Sequence, residues 1–558
     1  MDNYQIAENF TLLSKLMDIH GENSFKAKTY AIAAYHIENL TEQLSNTPVE
    51  KIPVIKGIGD STGKKIIELL ETGELKILQE IINKTPAGVI EMLNIKGIGP
   101  KKIHTIWKEM EIESIGELLY ACQENRLKLY KGFGEKTQQN IIETIEYYLH
   151  NQGSYLYPQV EAVVPQVTAY LEKLFGAANV ALTGAFKRQL EIIDELEYVT
   201  NTTNEAAKPK FVSANPPELL EEKPGSLLYK LLNGLRLRLY TGTDNFKKRA
   251  FITSGSNEFA EAFEKQFPAI DYDKDDTSIF EQAKLHYIPA CARETAAVIE
   301  KAKTTAIPTL IQPADIKGII HSHSNWSDGS YTLEEMAKAA KEKGFEYLVI
   351  SDHSKSAFYA QGLTEERIAA QQQYVNELND KLTGFKIFKS IECDILNDGS
   401  LDYTNTILST FDLVIVSVHS NLKMSEEKAM MRLLNAIENP YTTILGHMTG
   451  RLLLSRKGYP VDHKKIIDAC AANHVAIELN AHPSRLDIDW RHIDYALEKN
   501  VLISIDPDAH TIEGFDDIKY GVLAAQKAMV TKEQNLSSFG VKEFESYLEK
   551  VRRLKGIK

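Results

Sequence analysis

Apolar positions follow helical spacing through the first 150 or so residues. From about residue 317 they change to short apolar runs separated by helical stretches. Asn3–Ile19 and Phe25–Leu40 keep their apolar side chains on one face, which predicts two amphipathic helices. A motif then occurs three times: 55-IKGIGDSTGKKIIELL-70, 95-IKGIGPKKIHTIW-107 and 130-YKGFGEKTQQNIIETI-145. Each copy is Lys-Gly-apolar-Gly followed by an amphipathic stretch. The glycine pairs Gly57/Gly59, Gly97/Gly99 and Gly132/Gly134 permit tight turns, after which a helix N-terminus presents free N–H groups. Further along, 317-KGIIHSHSNWSDGSYTLEEMAKAAKEKGFEYLVISDHS-354 reads strand (Gly318–Ile320), loop, helix (Leu333–Lys343), strand (Tyr347–Ile350). Similar runs follow at Phe388–Ile391, Leu413–Val418, Thr443–Gly446 and Leu502–Ile505. Strands alternating with helices predict parallel α/β structure.

The chemistry gathers where these runs end. Ten of the fifteen histidines fall in residues 317–558. His321 and His323 follow the first run, and an H-x-H pair on a strand points both rings to one face. Asp328 lies in the next loop, His353 follows the second run, and Glu392, His419, His447 and Asp508-x-His510 follow the others. Histidines that merely cap strands would not favour strand ends so consistently. Imidazole mixed with carboxylate suits zinc, manganese or iron, and nine such groups exceed the needs of one ion, which predicts a multinuclear centre. Arg451 and Arg485 fall just past strand ends, with two readings left open: a grip on substrate phosphate or surface ion pairs. His463 and His482 match no ligand position.

Composition bounds the rest. A chain of 558 residues is long enough for three to five domains. No apolar run reaches the ~18 residues of a membrane span, and MDNYQIAENF lacks a signal-peptide pattern. Cys122, Cys291, Cys393 and Cys470 are scattered, which fits a reducing compartment without a disulfide framework. The net charge of −13, and of −4 in residues 1–150, argues against broad electrostatic binding of nucleic acid. Phosphate contact by the three turns is therefore expected to be local, through N–H groups, the helix dipole and Lys64, Lys101 and Lys136.

The set His321, His323, Asp328, His353, Glu392, His419, His447, Asp508 and His510 resembles the metal ligands of the PHP (polymerase and histidinol phosphatase) domain. That resemblance implies a distorted seven-stranded β/α barrel with a trinuclear centre of Mn, Zn or Fe. By the family pattern, His321, His323, Glu392 and Asp508 hold one ion, Glu392, His419 and His447 a second, and Asp328, His353 and His510 the third. The three glycine turns resemble helix-hairpin-helix motifs, which hold DNA backbones. Hairpins, then mixed α/β, then a PHP domain resemble the bacterial family X DNA polymerases over essentially the whole chain.

The implied fold is multidomain, α and α/β. Residues 1–82 form a helical DNA-end-binding domain with the first hairpin, 83–150 a fingers-like domain with two more, 151–300 palm and thumb, 301–316 a linker and 317–558 the PHP domain. In a relative of this family a lysine after the first hairpin forms a Schiff base with an abasic sugar. Lys65 aligns with it, and plain phosphate contact is the favoured reading, since a nucleophilic lysine needs a lowered pKa.

The palm departs from the family. The turn 184-GAFKR-188 keeps Gly184 but has Ala185 where serine is expected, and Glu195 and Glu197 take the places of paired aspartates. Arg238 falls where a third aspartate would hold magnesium, which is expected only if that site is active. The expectation is therefore a cytoplasmic, nucleoid-associated, monomeric DNA-repair enzyme acting on gapped, recessed or abasic duplex. Its PHP domain would hydrolyse phosphodiesters as a 3′–5′ exonuclease, with abasic-site or 3′-end processing, beside a silent polymerase core. The alternatives are a bifunctional polymerase and exonuclease, a non-catalytic DNA-end-binding protein, and a small-molecule phosphatase.

Overall fold

The computed structural model describes residues 1–558 except Asn23, Asn39, Thr41, Lys96, 150–152, 212–215 and Lys558. Lys96 of the second glycine motif, and the expected boundary at 150, thus lie outside the described residues. The chain forms two compact units: Met1–Gln123 with Leu127–Tyr148, and Glu124–Arg126 with Leu149–Lys558.

The first unit is helical. α1 (Asn3–His20) starts at a capping box, in which Gln5 N donates to Asp2 Oδ1 and Asp2 N to Gln5 Oε1. It ends at Gly21 in the left-handed region. α2 (Ser24–Glu38) packs against it, with the rings of Phe10 and Tyr30 5.9 Å apart. Each glycine motif then opens a helix: α3 (Asp60–Thr72), α4 (Pro100–Lys108) and α5 (Glu135–Leu149). Gly57, Gly97 and Gly132 have φ of 92°, 94° and 95°, the region glycine alone enters without strain. The residue between the glycines (Ile58, Ile98, Phe133) is buried and anchors each turn.

The second unit begins with a five-stranded mixed sheet. Its strands are β1 (Val180–Thr183), β2 (Glu195–Thr200), β3 (Glu218–Lys223), β4 (Ser226–Lys230) and β5 (Arg236–Tyr240), in the order β1-β2-β5-β4-β3. Strand alternation puts Leu196 and Tyr198 of β2 into the core, leaving Glu195 and Glu197 on the other face. A smaller core follows around Phe251, Phe259, Phe263 and Phe280. Ile307 packs on it, while Ile311 is buried in the C-terminal core.

The C-terminal strands are β6 (Gly318–Ile319), β7 (Tyr347–Ile350), β8 (Lys386–Lys389), β9 (Glu392–Asp394), β10 (Ile415–Ser417), β11 (Ile444–Leu445), β12 (Ala476–Asn480) and β13 (Ile503–Asp506). All pair in parallel, as β8-β7-β6 and as β9-β10-β11-β12-β13. Bridges His353↔Glu392 and Ser322↔Ala509 join the two sheets. Only two residues separate β8 from β9, so they act as one kinked strand, and the ring closes as a distorted seven-stranded barrel.

Period-two alternation builds the interior. Tyr347, Val349, Phe388, Ile415, Ile444 and Ala476 face inward, while Leu348, Ile350, Ile387, Val416, Leu445 and Ile477 face the outer helices. The C-terminal helix Val541–Leu554 stops one end: Phe544 stacks on Tyr347 at 4.8 Å and meets Phe388 edge-on at 5.0 Å. Towards the C-terminal strand ends the buried side chains turn polar, with Ser417, Glu478, Asn480, Ser504 and Asp506.

Phe544→Ala opens a cavity beneath the barrel and is expected to cost ~3–5 kcal/mol. Leu554→Ala, on the same helix but half exposed, is expected to stay within ~0.5 kcal/mol. Denaturant unfolding of the C-terminal barrel, followed through its aromatic signal, checks both.

Candidate metal centre

All nine predicted ligands meet at the C-terminal ends of the barrel strands. Glu392 is the hub. Its Oε1 lies 2.9 Å from His447 Nε2, 3.1 Å from His419 Nε2 and 3.3 Å from His321 Nε2. Its Oε2 lies 3.0 Å from His353 Nδ1 and 3.6 Å from His323 Nε2. Asp508 Oδ1 is 3.1 Å from His323 Nε2 and 3.3 Å from His321 Nε2. Asp328 approaches His510 Nε2 at 3.3 Å and His353 Nε2 at 3.5 Å. Ligand atoms fall into overlapping groups within 4.8 Å: His321/His323/Glu392/Asp508, His323/Asp328/His353/His510, His353/Glu392/His419 and Glu124/Asp508/His510. His447 lies outside these groups; its Nε2 faces Glu392, and its ring lies 5.2 Å from that of His419.

Two local expectations are corrected. His321 and His323 are not on a strand, because β6 ends at Ile319 and His321 turns the chain in the left-handed region at φ 61°. Their rings converge by a loop, 5.3 Å apart. Glu392 begins β9 after the kink and does not end a run. Cys393 turns outward into the apolar shell, as alternation requires.

The donor set fits divalent ions. His321 Nε2, His510 Nε2, Glu392 Oε2 and Asp328 Oδ2 are buried and make no hydrogen bond, though opposing ligand atoms stand nearby. Buried polar atoms left this way are costly unless a cation takes them. The protonation pattern is that of a cluster balancing its own charge. Burial disfavours the charged forms, yet the surrounding imidazoles hold the carboxyls of Glu392, Asp328 and Asp508 below their ordinary range. The carboxylates in turn raise His321, His353 and His510 against burial. His323, buried between His510 and His353, is lowered to about 3.

A second set of side chains aims the first. His321 Nδ1 lies 2.5 Å from Glu478 Oε2, and Glu478 Oε1 accepts from the His447 N–H at 3.0 Å. His419 Nδ1 lies 2.8 Å from Asp394 Oδ1. Asn480 donates to Asp508 Oδ2 at 3.0 Å. Asp352 gathers Ser324 N–H, Ser324 Oγ, Ser327 Oγ and Gln371 Nε2, which fixes the loop that carries Asp328. Glu124, of the short segment grouped with the second unit, is instead on the ligand side: its Oε2 lies 3.0 Å from His510 Nε2, the nitrogen that also faces Asp328. Glu478 and Asp394 were legible: a carboxylate amid 475-VAIELN-480, and one two positions after Glu392, both fall on the inward face. Nothing in the sequence marks Glu124.

The two arginines part company. Arg485 is buried with Nε 3.9 Å from Asp508 Oδ2. Arg451 does not reach the cluster; its guanidinium donates to the carbonyls of Arg485 and Leu486 and to Asp489.

The middle sheet carries a second carboxylate site, closed by the protein's own groups. Arg238 makes a two-pronged pair with Glu195 and reaches Glu221 Oε1 at 3.1 Å and Ser226 Oγ at 3.0 Å. Those bonds raise its pKa further, Glu195 foremost. Glu197 Oε1 accepts the Ala185 N–H at 2.9 Å, and a Cβ at Gly184, where φ is 70°, would strike Glu197.

In the first unit Gly59, Gly97, Gly99, Gly132 and Gly134 are open, since an added Cβ meets nothing within 4 Å. Lys101 and Lys136 are exposed. Lys64 pairs with Asp60 at 3.0 Å, and Lys65 Nζ lies 5.9 Å from the centre of the Tyr30 ring. Among the described residues no helix is long and apolar enough to cross a membrane.

If Asp394 and Glu478 orient ligand imidazoles, Asp394→Asn and Glu478→Gln each weaken manganese binding about 10–100-fold while leaving the ligands in place. Calorimetric titration of metal into stripped protein measures this.

Comparison with known proteins agrees with this architecture. A helix-hairpin-helix domain model matches residues 1–75, a SAM-like helix-hairpin-helix tandem residues 89–146 and a PHP domain residues 320–482. The DNA polymerase/3′-5′ exonuclease PolX of Bacillus subtilis (strain 168) is 30% identical over 562 residues, 96% of this chain and 97% of its own length. A probable phosphatase of Thermoanaerobacter sp. (strain X514) is 28% identical over 251 residues, 42% of this chain and 96% of its own. A probable phosphatase of Acetivibrio thermocellus is 30% identical over 170 residues, 29% of this chain and 64% of its own. Identity across nearly the whole of both chains, with hairpins ahead of a PHP barrel, makes this protein a member of the bacterial family X DNA polymerases that carry a C-terminal PHP domain.

Proposed function

We propose that this chain is a DNA-processing phosphodiesterase, a 3′–5′ exonuclease that also trims abasic or blocked 3′ ends. Its polymerase core, in this reading, positions DNA without extending it. The observation that carries the reading is the Glu392-centred cluster of nine side chains in a chain whose second and third glycine turns are open. His321, His323, Glu392 and Asp508 would hold one divalent ion, Glu392, His419 and His447 a second, and Asp328, His353 and His510 a third. Ions so held supply Lewis-acid polarisation of a phosphodiester and activation of water. The chain's own part is preparation. Glu478 and Asp394 fix imidazole tautomers, Asp352 fixes the Asp328 loop, and Arg485 stands beside Asp508 to receive phosphate oxygen. The turns at Gly57/Gly59, Gly97/Gly99 and Gly132/Gly134, with Lys64, Lys65, Lys101 and Lys136 beside them, would hold the backbone of gapped, recessed or abasic duplex. That tethering raises the concentration of DNA ends at the metal centre.

The silence of the core rests on charge. Two magnesium ions need open carboxylates, whereas Glu195 is taken by Arg238 and Glu197 by the Ala185 N–H and the Tyr240 hydroxyl. In the same reading residues 1–82, 83–150, 151–300 and 317–558 are end-binding, fingers-like, palm/thumb and PHP parts.

The test uses a 3′-recessed and a one-nucleotide-gapped duplex with Mn²⁺ and dNTPs. Shortening from the 3′ end without extension is expected, and His323→Ala/His353→Ala should lose it by more than about 100-fold. Extension by the doubly substituted protein would overturn the silent core and favour the bifunctional enzyme. Bound but unaltered DNA with the natural chain would overturn the nuclease.

A further inference from the structure

The loop after β12, residues 480–491, has two faces. One face serves the metal centre. Asn480 donates to Asp508 Oδ2 and to Glu478 Oε1, and Arg485 lies against Asp508. The other face packs on the middle region, with Pro483, Leu486 and Trp490 sharing a narrow cleft with Tyr157, Pro158 and Glu191.

Glu191 comes just before the strand Ile192–Ile193, and its side chain is 10% exposed. Both its oxygens accept from this loop: Oε1 from Arg491 NH1 at 2.7 Å, Oε2 from Trp490 Nε1 at 3.2 Å. The Lys527 ammonium stands 4.5 Å over the Trp490 ring and bonds Glu294 at 2.6 Å. From Glu191 an unbroken chain of charge-assisted bonds runs to the metal-site arginine. Arg491 NH1 donates to Asp489 Oδ1 at 2.9 Å, Arg451 NH1 donates to Asp489 Oδ2 at 2.5 Å, and Arg451 Nε donates to the Arg485 carbonyl at 2.9 Å. Thr449 anchors the same turn through Asp487 Oδ2.

We infer that Glu191 is a positioning residue for the phosphodiesterase centre, holding the 480–491 loop from the polymerase-like region so that Arg485 stays aimed beside Asp508. The inference rests on the phosphodiesterase reading above and gives the closed polymerase core a task in that chemistry. A loop carrying one substrate-facing cation gains from a rigid support, since a displacement of about 1 Å at a reacting centre can cost about 100-fold in rate. Glu191 is suited to this because a buried carboxylate with two donors is fixed in direction. Arg451 is then an intermediate link and not a second phosphate grip.

The experiment uses the full chain and a 3′-recessed duplex with Mn²⁺. It compares Glu191→Ala, Glu191→Gln, Arg485→Ala and the double variant Glu191→Ala/Arg485→Ala. Glu161→Ala serves as control: it removes the Lys519 and Tyr520 contacts at the same junction, and Glu161 makes no hydrogen bond to residues 481–491 among the described residues. Hydrogen exchange of residues 480–491 and bound manganese are measured alongside.

Glu191→Ala is expected to lower kcat/KM about ten-fold, with the KM-to-kcat pattern of Arg485→Ala, unchanged manganese and faster exchange in 480–491. Glu191→Gln should fall between, and Glu161→Ala should match the natural chain. The double variant should be no worse than Arg485→Ala, as for two residues acting through one contact. Natural rates and exchange in Glu191→Ala, or losses that simply add to those of Arg485→Ala, would overturn the inference. Absence of hydrolysis by the natural chain would overturn the phosphodiesterase reading instead, and the exchange comparison would still decide whether Glu191 holds the loop.

Discussion

One buried carboxylate, Glu392, stands within 3.6 Å of five imidazole nitrogens. Charged and polar groups this dense are costly away from water unless opposite charge compensates them. The rest of the barrel supplies the setting. Parallel strands bring Glu392, His419, His447, Asp508 and His510 to one end, and the kink between β8 and β9 turns Glu392 inward. Phe544 closes the opposite end with an apolar plug. Glu478 and Asp394 occupy inward positions, where they fix imidazoles by their far nitrogens. The buried carboxylates and imidazoles would be a liability in a plain apolar barrel, and together they suit a metal-binding site.

The middle sheet meets the same problem with the opposite solution. Its carboxylates Glu195 and Glu221 pair with Arg238, a cation built into the chain, Glu221 also with Lys223, and Glu197 is satisfied by a backbone N–H and a tyrosine hydroxyl. The barrel's carboxylates face mainly imidazoles, whose charge can be given up to a metal. This difference in compensating charge separates the two carboxylate sites of the molecule and underlies the division of labour proposed for them.

Much of this was legible in the residues. The three glycine turns were readable because only glycine enters the left-handed region at Gly57, Gly97 and Gly132 without strain. The cluster was readable because His, Glu and Asp follow successive apolar runs, with Asp328 in the loop after the first, and because together they match the PHP ligand pattern. Glu195, Glu197 and Arg238 were readable through their match to the family's aspartate positions. Other features depend on tertiary contact. The left-handed turn at His321 and the start of β9 at Glu392 are set by how the strands close. Arg451 and Arg485 look alike in sequence, and only the fold of 480–491 sends one to backbone carbonyls and the other to Asp508. Glu124 is some 400 residues from His510 along the chain, and no local pattern marks it.

The most direct measurement of the central claim is anomalous diffraction at the manganese edge from crystals grown with Mn²⁺. More than one manganese peak is expected, with peaks on both sides of the Glu392 carboxylate and within bonding distance of His321, His419 and His353. A single peak remote from Glu392, or none with Glu392 still paired only to histidines, would contradict it.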